Sequence, residues 1–294
     1  CQEFCPVGAM RVKTNILNKI FSRSTFRNCF DNGYDKTYSQ VVRRYVDNGT
    51  GKQNSELISQ IYNVLREGYR NEYYYKNTLL NKLLLGIHSV NTTTALTEIP
   101  IAKSKADFVL INGKAVVYEI KTELDNFDRL ENQINDYYKA FDHVAVVTCK
   151  ENLQVLKKKI EMIGKPVGIY ILQKRGTITT IQKPQAYSVE LDAEILFKIL
   201  RKQEYEEILF NKYKHLPDVS EFKYYSECKK MFLEIPLEEA YLSVLKLLKK
   251  RSQIIKDEFS KIPYELKFLA YFMNLKSDDY KKITKFLNES YGGV

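Results

Sequence analysis

The stretch KADFVLINGKAVVYEIKTELDNFDRLENQINDYY, residues 105–138, decides how the rest of the chain is read. Within it, ADFVLI (106–111) and AVVYEIK (115–121) are β-branched and aromatic runs of strand length, and Asn112-Gly113 between them is the strongest short hairpin signal in the sequence. FDRLENQINDYYKAF (127–141) then changes to helical periodicity. Asp107 begins one strand, Glu119 and Lys121 close its partner, and alternate residues of a strand share a face. A two-residue turn at Asn112-Gly113 pairs Ile111 with Lys114, sets Asp107 opposite Tyr118 and turns Glu119 to the other face. A shared site therefore requires a one-residue offset. Either a bulge or a three-residue loop pairing Ile111 with Ala115 brings Asp107 opposite Glu119, and such an offset is predicted.

Two carboxylates and an ammonium at one end of a small sheet have a common use. A hard divalent cation takes oxygen ligands, often one or two carboxylates, and keeps several waters. Asp107 and Glu119 supply such oxygens. A lysine beside the metal can hold or deprotonate the attacking water and stabilise charge developing at phosphorus. The plainer alternative is a cross-strand ion pair on a solvated sheet face.

Working outward, TALTEIPI (94–101), HVAVVT (143–148), VGIYIL (167–172) and TITTIQ (177–182) read as further strands, and ENLQVLKKKIEMI (151–163) as a helix. Residues 94–182 thus give the order β-β-β-α-β-α-β-β. Residues 11–85 show helical spacing broken at DNGYD (31–35), at DNGTGK (47–52) and around Gly68, with a last helix from about Asn71 to Leu85 ending near Gly86. Helical patterns return at 191–211, 219–233, 236–255 and 264–290, separated around Pro217, Pro236 and Pro263. The expected architecture is α/β in three parts: an N-terminal helical region (1–70), a mixed-sheet core (71–186) and a C-terminal helical region (187–294).

The set Asp107, Glu119-x-Lys121 and Gln133-x-x-x-Tyr137, on a hairpin and the helix after it, resembles the PD-(D/E)xK nuclease superfamily, particularly its RecB-like branch with the QxxxY motif. The run from Tyr73 to Val147, including EYYYKNTLLNKLLLG and YEIKTELDNFDRLENQINDYYKAF, looks like a bacterial and phage family of PD-(D/E)xK nuclease-like proteins. The resemblance covers residues 72–182. It implies a restriction-endonuclease-like core in which Asp107 and Glu119 ligate Mg²⁺ or Mn²⁺, the Ile120 carbonyl completes the shell and Lys121 positions the water. Gln133 and Tyr137, one helical turn apart, then orient the ExK strand or touch DNA. Members often add a glutamate from a preceding helix; Glu72 matches it best, with Glu98 as a rival. Ala106 stands where the superfamily's name has proline. The implied function is a metal-dependent nuclease hydrolysing phosphodiester bonds, with DNA the expected substrate, in a phage or mobile-element setting. Two alternatives stay open: a catalytically silent nucleic-acid-binding or regulatory module on the same fold, and an RNA-cleaving toxin or abortive-infection protein.

Composition sets the outer limits. The 294 residues are 44% hydrophobic, enough for a sizeable core, and no apolar run approaches the ~18 residues of a membrane span, so a soluble, cytoplasmic protein is expected. CQEFCPVGAM lacks a signal-peptide apolar region, and Met10 reads as the natural start. Cysteines at 1, 5, 29, 149 and 228 form no CxxC pair, against structural zinc or a disulfide framework. His88, His143 and His215 read as structural. GTGKQ (49–53) fails the phosphate-loop spacing, with Gln53 where the hydroxyl belongs. Tyr73, Tyr74 and Tyr75 are expected to bury one or two rings and expose the rest. Glu123, Asp125 and Asp128 read as helix-start acids, with Asp125 or Asn126 at the N-cap. The basic runs at 157–159 and 248–251 read as solvated helix faces. The net charge of +10 concentrates in residues 1–94, with 13 basic and 7 acidic side chains, which nominates the N-terminal helices to grip a phosphate backbone. The sequence leaves the oligomeric state open.

Overall fold

The computed structural model describes residues 16–86, 92–252 and 254–292. His88, Met10 and the cysteines at 1 and 5 lie outside the described residues. In chain order the elements begin with α1 (Arg23–Asn32), α2 (Lys36–Tyr45), α3 (Asn54–Gly68) and α4 (Glu72–Leu79), the last continued by a π-helical turn over Leu80–Leu85. Next come β1 (Thr94–Ile101), β2 (Ser104–Asn112), β3 (Lys114–Ile120), α5 (Leu130–Tyr138), β4 (His143–Thr148), α6 (Leu153–Ile163), β5 (Gly168–Leu172) and β6 (Ile178–Gln182). Then follow α7 (Ala193–Lys198), α8 (Lys202–Tyr213), α9 (Glu221–Leu233), α10 (Leu237–Lys249), α11 (Lys256–Ser260), α12 (Lys267–Phe272) and α13 (Ser277–Asn288). The fold is α/β, with helices toward both termini and the expected element order in between.

The six strands form one mixed sheet in the order β1-β2-β3-β4-β5-β6. The β1–β2, β2–β3 and β5–β6 pairs are antiparallel, whereas β3–β4 and β4–β5 are parallel. Parallel neighbours need a crossover, and α5 and α6 provide one each. One face of the sheet, carrying Val109, Ile111, Ala115 and Val117, shares a continuous apolar core with Leu130, Ile134, Tyr137 and Tyr138 of α5. The same core takes in Phe197, Leu209, Phe232, Val244 and Leu248 from α7 to α10.

That continuity corrects the three-part division. The chain forms two compact units: residues 84–173 with 178–252, and residues 1–83 with 174–177 and 253–294. The region read as a single C-terminal piece, 187–294, divides between them. A reading along the chain sees helices that follow a sheet; it does not see which apolar face each helix closes.

In the helical unit the two ends of the chain are stapled by buried amides. Asn54 donates to the carbonyls of Phe286 (2.9 Å) and Glu289 (3.1 Å) and accepts from the Tyr38 hydroxyl at 2.6 Å. Asn77 donates to the Tyr62 hydroxyl (2.9 Å) and the Tyr264 carbonyl (3.0 Å) and accepts from the Phe268 amide (3.0 Å). Tyr73, Tyr74 and Tyr75 are all buried, correcting the expectation that only one or two would be. Tyr73 stacks on Phe21 at 4.6 Å, and Tyr74 lies 5.4 Å from the ring of Tyr62, so aromatic neighbours receive rings pointing in successive directions.

Candidate functional site

The site is set by the register of the β2–β3 hairpin. Ile111 pairs with Ala115, and the ladder runs on through Leu110–Val116 and Val109–Val117 to Phe108–Tyr118. The turn is the three-residue form, with Gly113 at its tip at φ 71°, a conformation that glycine adopts without a Cβ clash. Carried one step further, the register brings Asp107 opposite Glu119, as the offset predicted. The Asp107 carboxylate reaches across the pair, and its Oδ2 accepts from the Ile120 amide at 2.8 Å.

Glu119 is 2% exposed, so its carboxylate depends on protein partners. It has three. Gln133 Nε2 donates to Oε1 and the Tyr137 hydroxyl donates to Oε2, each at 2.5 Å, while Lys121 Nζ stands 2.9 Å from Oε1. Lys121 also donates to Gln133 Oε1 at 2.8 Å, closing a ring of Glu119, Lys121 and Gln133. The two helix residues lie one turn apart on the face of α5 that meets the sheet, which is why both reach the same carboxylate. Burial, the Glu119 charge and its hydrogen bond, and the Asp107 charge push the Tyr137 hydroxyl well above its ordinary pKa, so it stays a donor. Tyr137 is fully buried, and its hydroxyl also lies 3.0 Å from the Lys105 carbonyl. Of the two roles open to Gln133 and Tyr137, their hydrogen bonds are those of groups orienting Glu119.

The Lys121 backbone is held on both sides. Its amide donates to the Val147 carbonyl at 2.9 Å, and its own carbonyl accepts from Thr148 Oγ1 at 2.7 Å. Asn152 Nδ2 ties down the next carbonyl, Thr122, at 3.1 Å. Thr148 and Asn152 were not singled out in the sequence; the signal is that β4 is the parallel neighbour of β3, so its last residue and the turn into α6 flank the end of the ExK strand.

Glu98 joins the site from the other side of Asp107. In β1–β2 the register runs Thr97–Phe108 and then Ile99–Ala106, so Glu98 faces Asp107. Glu98 has φ 57° in mid-strand, a left-handed conformation that costs a non-glycine residue about 1–3 kcal/mol and persists where the surroundings hold it. Thr97 Oγ1 donates to the Asp107 carbonyl at 2.7 Å, and Lys105 Nζ pairs with Glu98 at 2.5 Å. Carboxylate oxygens of Glu98 and Asp107 lie within 4.8 Å of one another. Two hard, anionic oxygens at that spacing suit a divalent cation. Glu119 fits such a cation less directly, because both of its oxygens are already hydrogen-bonded.

Other residues singled out in the sequence have partners of their own. Glu72 belongs to the helical unit, in the first turn of α4, where it pairs with the buried Lys76 at 2.5 Å. Asp125 is not the N-cap of α5; it closes a turn by accepting from the Thr122 amide (2.8 Å) and hydroxyl (2.7 Å). The N-cap of α5 is Arg129, with no side-chain cap. His143 bonds Asp142 at 2.8 Å, and Asp142 also accepts from the Tyr241 hydroxyl at 2.6 Å, a structural cluster. Arg251 of the second basic run is an inward strut, bidentate on Glu204 at 2.6 and 2.5 Å. Cys29, Cys149 and Cys228 are buried and free. Among the described residues no helix is long and apolar enough to cross a membrane.

Comparison with known proteins adds one lineage. Protein cII of Enterobacteria phage P4 is 24% identical over 143 residues, covering 47% of this chain and 49% of the phage protein. The chain therefore spans about half the length of the curated relative it matches. No solved structure is significantly similar to it. The family model described as Bacteriophage P4 protein cII matches residues 66–268, a span that includes the hairpin, α5 and the whole sheet, and the chain belongs to that family.

Proposed function

We propose that this protein is a metal-dependent nuclease that hydrolyses phosphodiester bonds, with DNA as substrate, on a restriction-endonuclease-like core of the PD-(D/E)xK type. One observation carries the reading: the offset register that sets Asp107 against Glu119-Ile120-Lys121, with Gln133 and Tyr137 both on the Glu119 carboxylate. A simple cross-strand ion pair needs neither the buried carboxylate nor two helix donors aimed at it. The phage relative is in keeping with a phage or mobile-element setting.

In this reading Asp107 and Glu119 hold Mg²⁺ or Mn²⁺, and the Ile120 carbonyl is available beside them. Glu98, within 4.8 Å of Asp107, supplies a third carboxylate. When bound, the metal polarises a phosphoryl oxygen and makes its water a better nucleophile. Lys121 orients that water and balances negative charge at the phosphorus. Gln133 and Tyr137 fix the Glu119 rotamer, so that little reorganisation is left for the reaction. The test is a Mg²⁺ and Mn²⁺ cleavage assay on single-stranded DNA, duplex DNA and RNA. Glu119→Ala and Lys121→Ala are expected to lose cleavage while remaining folded; metal-dependent cleavage persisting in both refutes the reading, and cleavage of RNA alone redirects it to an RNA-cleaving toxin.

A second reading has its own observation. Both Glu119 oxygens are satisfied by protein donors, as in a catalytically silent nucleic-acid-binding or regulatory module. Titration calorimetry separates the two: the nuclease gives Mg²⁺ or Mn²⁺ heat that Asp107→Asn removes, and a silent module gives none.

A further inference from the structure

A groove of about 960 Å³ opens beside the site, within the sheet-bearing unit. Its two walls are the tip of the β1–β2 hairpin, with Lys103, Ser104 and Lys105, and the polar stripe of α5, with Arg129, Gln133, Asp136 and Lys139 among its residues. The helix positions recur at three- and four-residue steps, so they form one face along the groove. Gln133 belongs to both places: it lines the groove and bonds Glu119 and Lys121.

The walls are fastened together. Asp136 Oδ2 accepts from the Lys103 amide (3.2 Å) and the Ser104 hydroxyl (2.8 Å), and Asp136 Oδ1 pairs with Lys139 at 2.9 Å. Lys105 is paired with Glu98. Two cations are left over. Lys103 and Arg129 are exposed, and among the described residues neither has a carboxylate partner. A concave surface that keeps unpaired cations toward solvent and runs up to a carboxylate–lysine centre is suited to a polyanion. Its volume lies near the top of the ~300–1,000 Å³ range of small-ligand sites, which suits a few linked nucleotides and is too small to enclose a duplex.

We infer that this groove seats the phosphate backbone of a single polynucleotide strand, with Lys103 and Arg129 each neutralising a phosphate and Gln133 marking where the strand meets the site. This rests on the nuclease reading for its direction toward the chemistry, but not for binding. The groove selects a splayed strand over a duplex, and its contacts are electrostatic, so affinity depends on salt.

The test is fluorescence anisotropy of labelled single-stranded DNA, single-stranded RNA and duplex DNA in EDTA, across a salt series. The proteins are wild type, Lys103→Ala with Arg129→Ala, Lys121→Ala, and a control pair, Lys157→Ala with Lys158→Ala, on the exposed side of α6. The groove pair is expected to weaken single-strand binding on the order of tenfold near 0.1 M salt and to flatten the log–log salt slope by about 1.4, at ~0.7 per lost phosphate contact. The control pair should bind as wild type does, and circular dichroism should show all variants folded. The DNA and RNA arms show which strand the groove prefers. An unchanged affinity and slope in the groove pair, an equal loss in the control pair, or tighter binding of duplex overturns the inference. Loss of cleavage in Lys121→Ala, with the groove effect present in the groove pair, supports both readings; absence of cleavage in every protein, with the groove effect intact, removes the nuclease reading and leaves this one.

Discussion

The two units differ in charge and in what holds them together. The helical unit carries 22 basic and 13 acidic residues, a net +9, while the sheet-bearing unit carries 24 and 23, a net +1. Nearly all of the chain's excess charge thus belongs to the unit without the hairpin. The sheet-bearing unit is organised by a backbone ladder whose register places a few charged groups in burial. The helical unit closes through Asn54 and Asn77, whose amides tie the first helices to the last. A small error of register costs the first unit its site; loss of one amide costs the second its closure.

The comparison can be broken most sharply at Glu119. If the hairpin is the seat of chemistry, Glu119→Gln, nearly isosteric and still able to bond Gln133 and Tyr137, should lower cleavage by about 100-fold or more while thermal melting shows a folded protein. Cleavage near the wild-type rate would move the chemistry elsewhere. Next in size is Asn77→Ala, which strands the Tyr62 hydroxyl, the Tyr264 carbonyl and the Phe268 amide. It should destabilise the helical unit by about 3 kcal/mol, read by chemical denaturation with melting as a check. A loss within ~0.5 kcal/mol would mean that apolar packing, not the amide staple, closes that unit.

A pH experiment sharpens the account of the hairpin tip. Burial pulls the Asp136 carboxyl up, but hydrogen bonds from Lys139 and Ser104 and the Lys139 charge outweigh it and hold the group below its ordinary value of 3.8. A carboxylate depressed in the folded state contributes stability above its unfolded pKa and loses it as pH falls through the folded one. Stability of the wild type should therefore fall more steeply below about pH 4 than that of Asp136→Asn, measured by urea denaturation from pH 6 to pH 2.5. Parallel curves would show that the tip is held without the ionised group.

The smallest effect is expected from Arg43→Ala with Arg44→Ala, two exposed cations in the last turn of α2. Favourable placement at a helix C-terminus makes them worth at most about 1 kcal/mol of stability. If the +9 of the helical unit acts by long-range attraction, the double variant should slow oligonucleotide association at low salt and have little effect at high salt. No change at low salt would reduce that excess to composition, leaving binding to Lys103 and Arg129.

Much of the sheet-bearing unit was legible because its signals are local. β-branched runs, a glycine turn and a switch to helical spacing fixed β1 to β6, α5 and α6 to within a few residues. The offset was legible as well, since only one register lets Asp107 and Glu119 share a face. Asp125 was misread because its carboxylate found the Thr122 amide and hydroxyl before it could cap a helix, a competition between two local hydrogen-bonding solutions. The three tyrosines were misread because how many rings a helix can bury depends on how many aromatic neighbours reach it.

The amino-acid sequence by itself determined the element order, the hairpin, and the residue types Asp107, Glu119, Lys121, Gln133 and Tyr137 in their sequence on strand and helix. Periodicity and turn chemistry act over a few residues, so they can be read along the chain. Only the tertiary structure decided that α7 to α10 close the core of the sheet while α11 to α13 return to the first helices. It alone set Glu98, in a left-handed mid-strand conformation, against Asp107, and joined the hairpin tip to α5 into a groove with two exposed cations. Those outcomes depend on which distant apolar faces are complementary and which charges find partners, and such pairings exist only once the chain has folded.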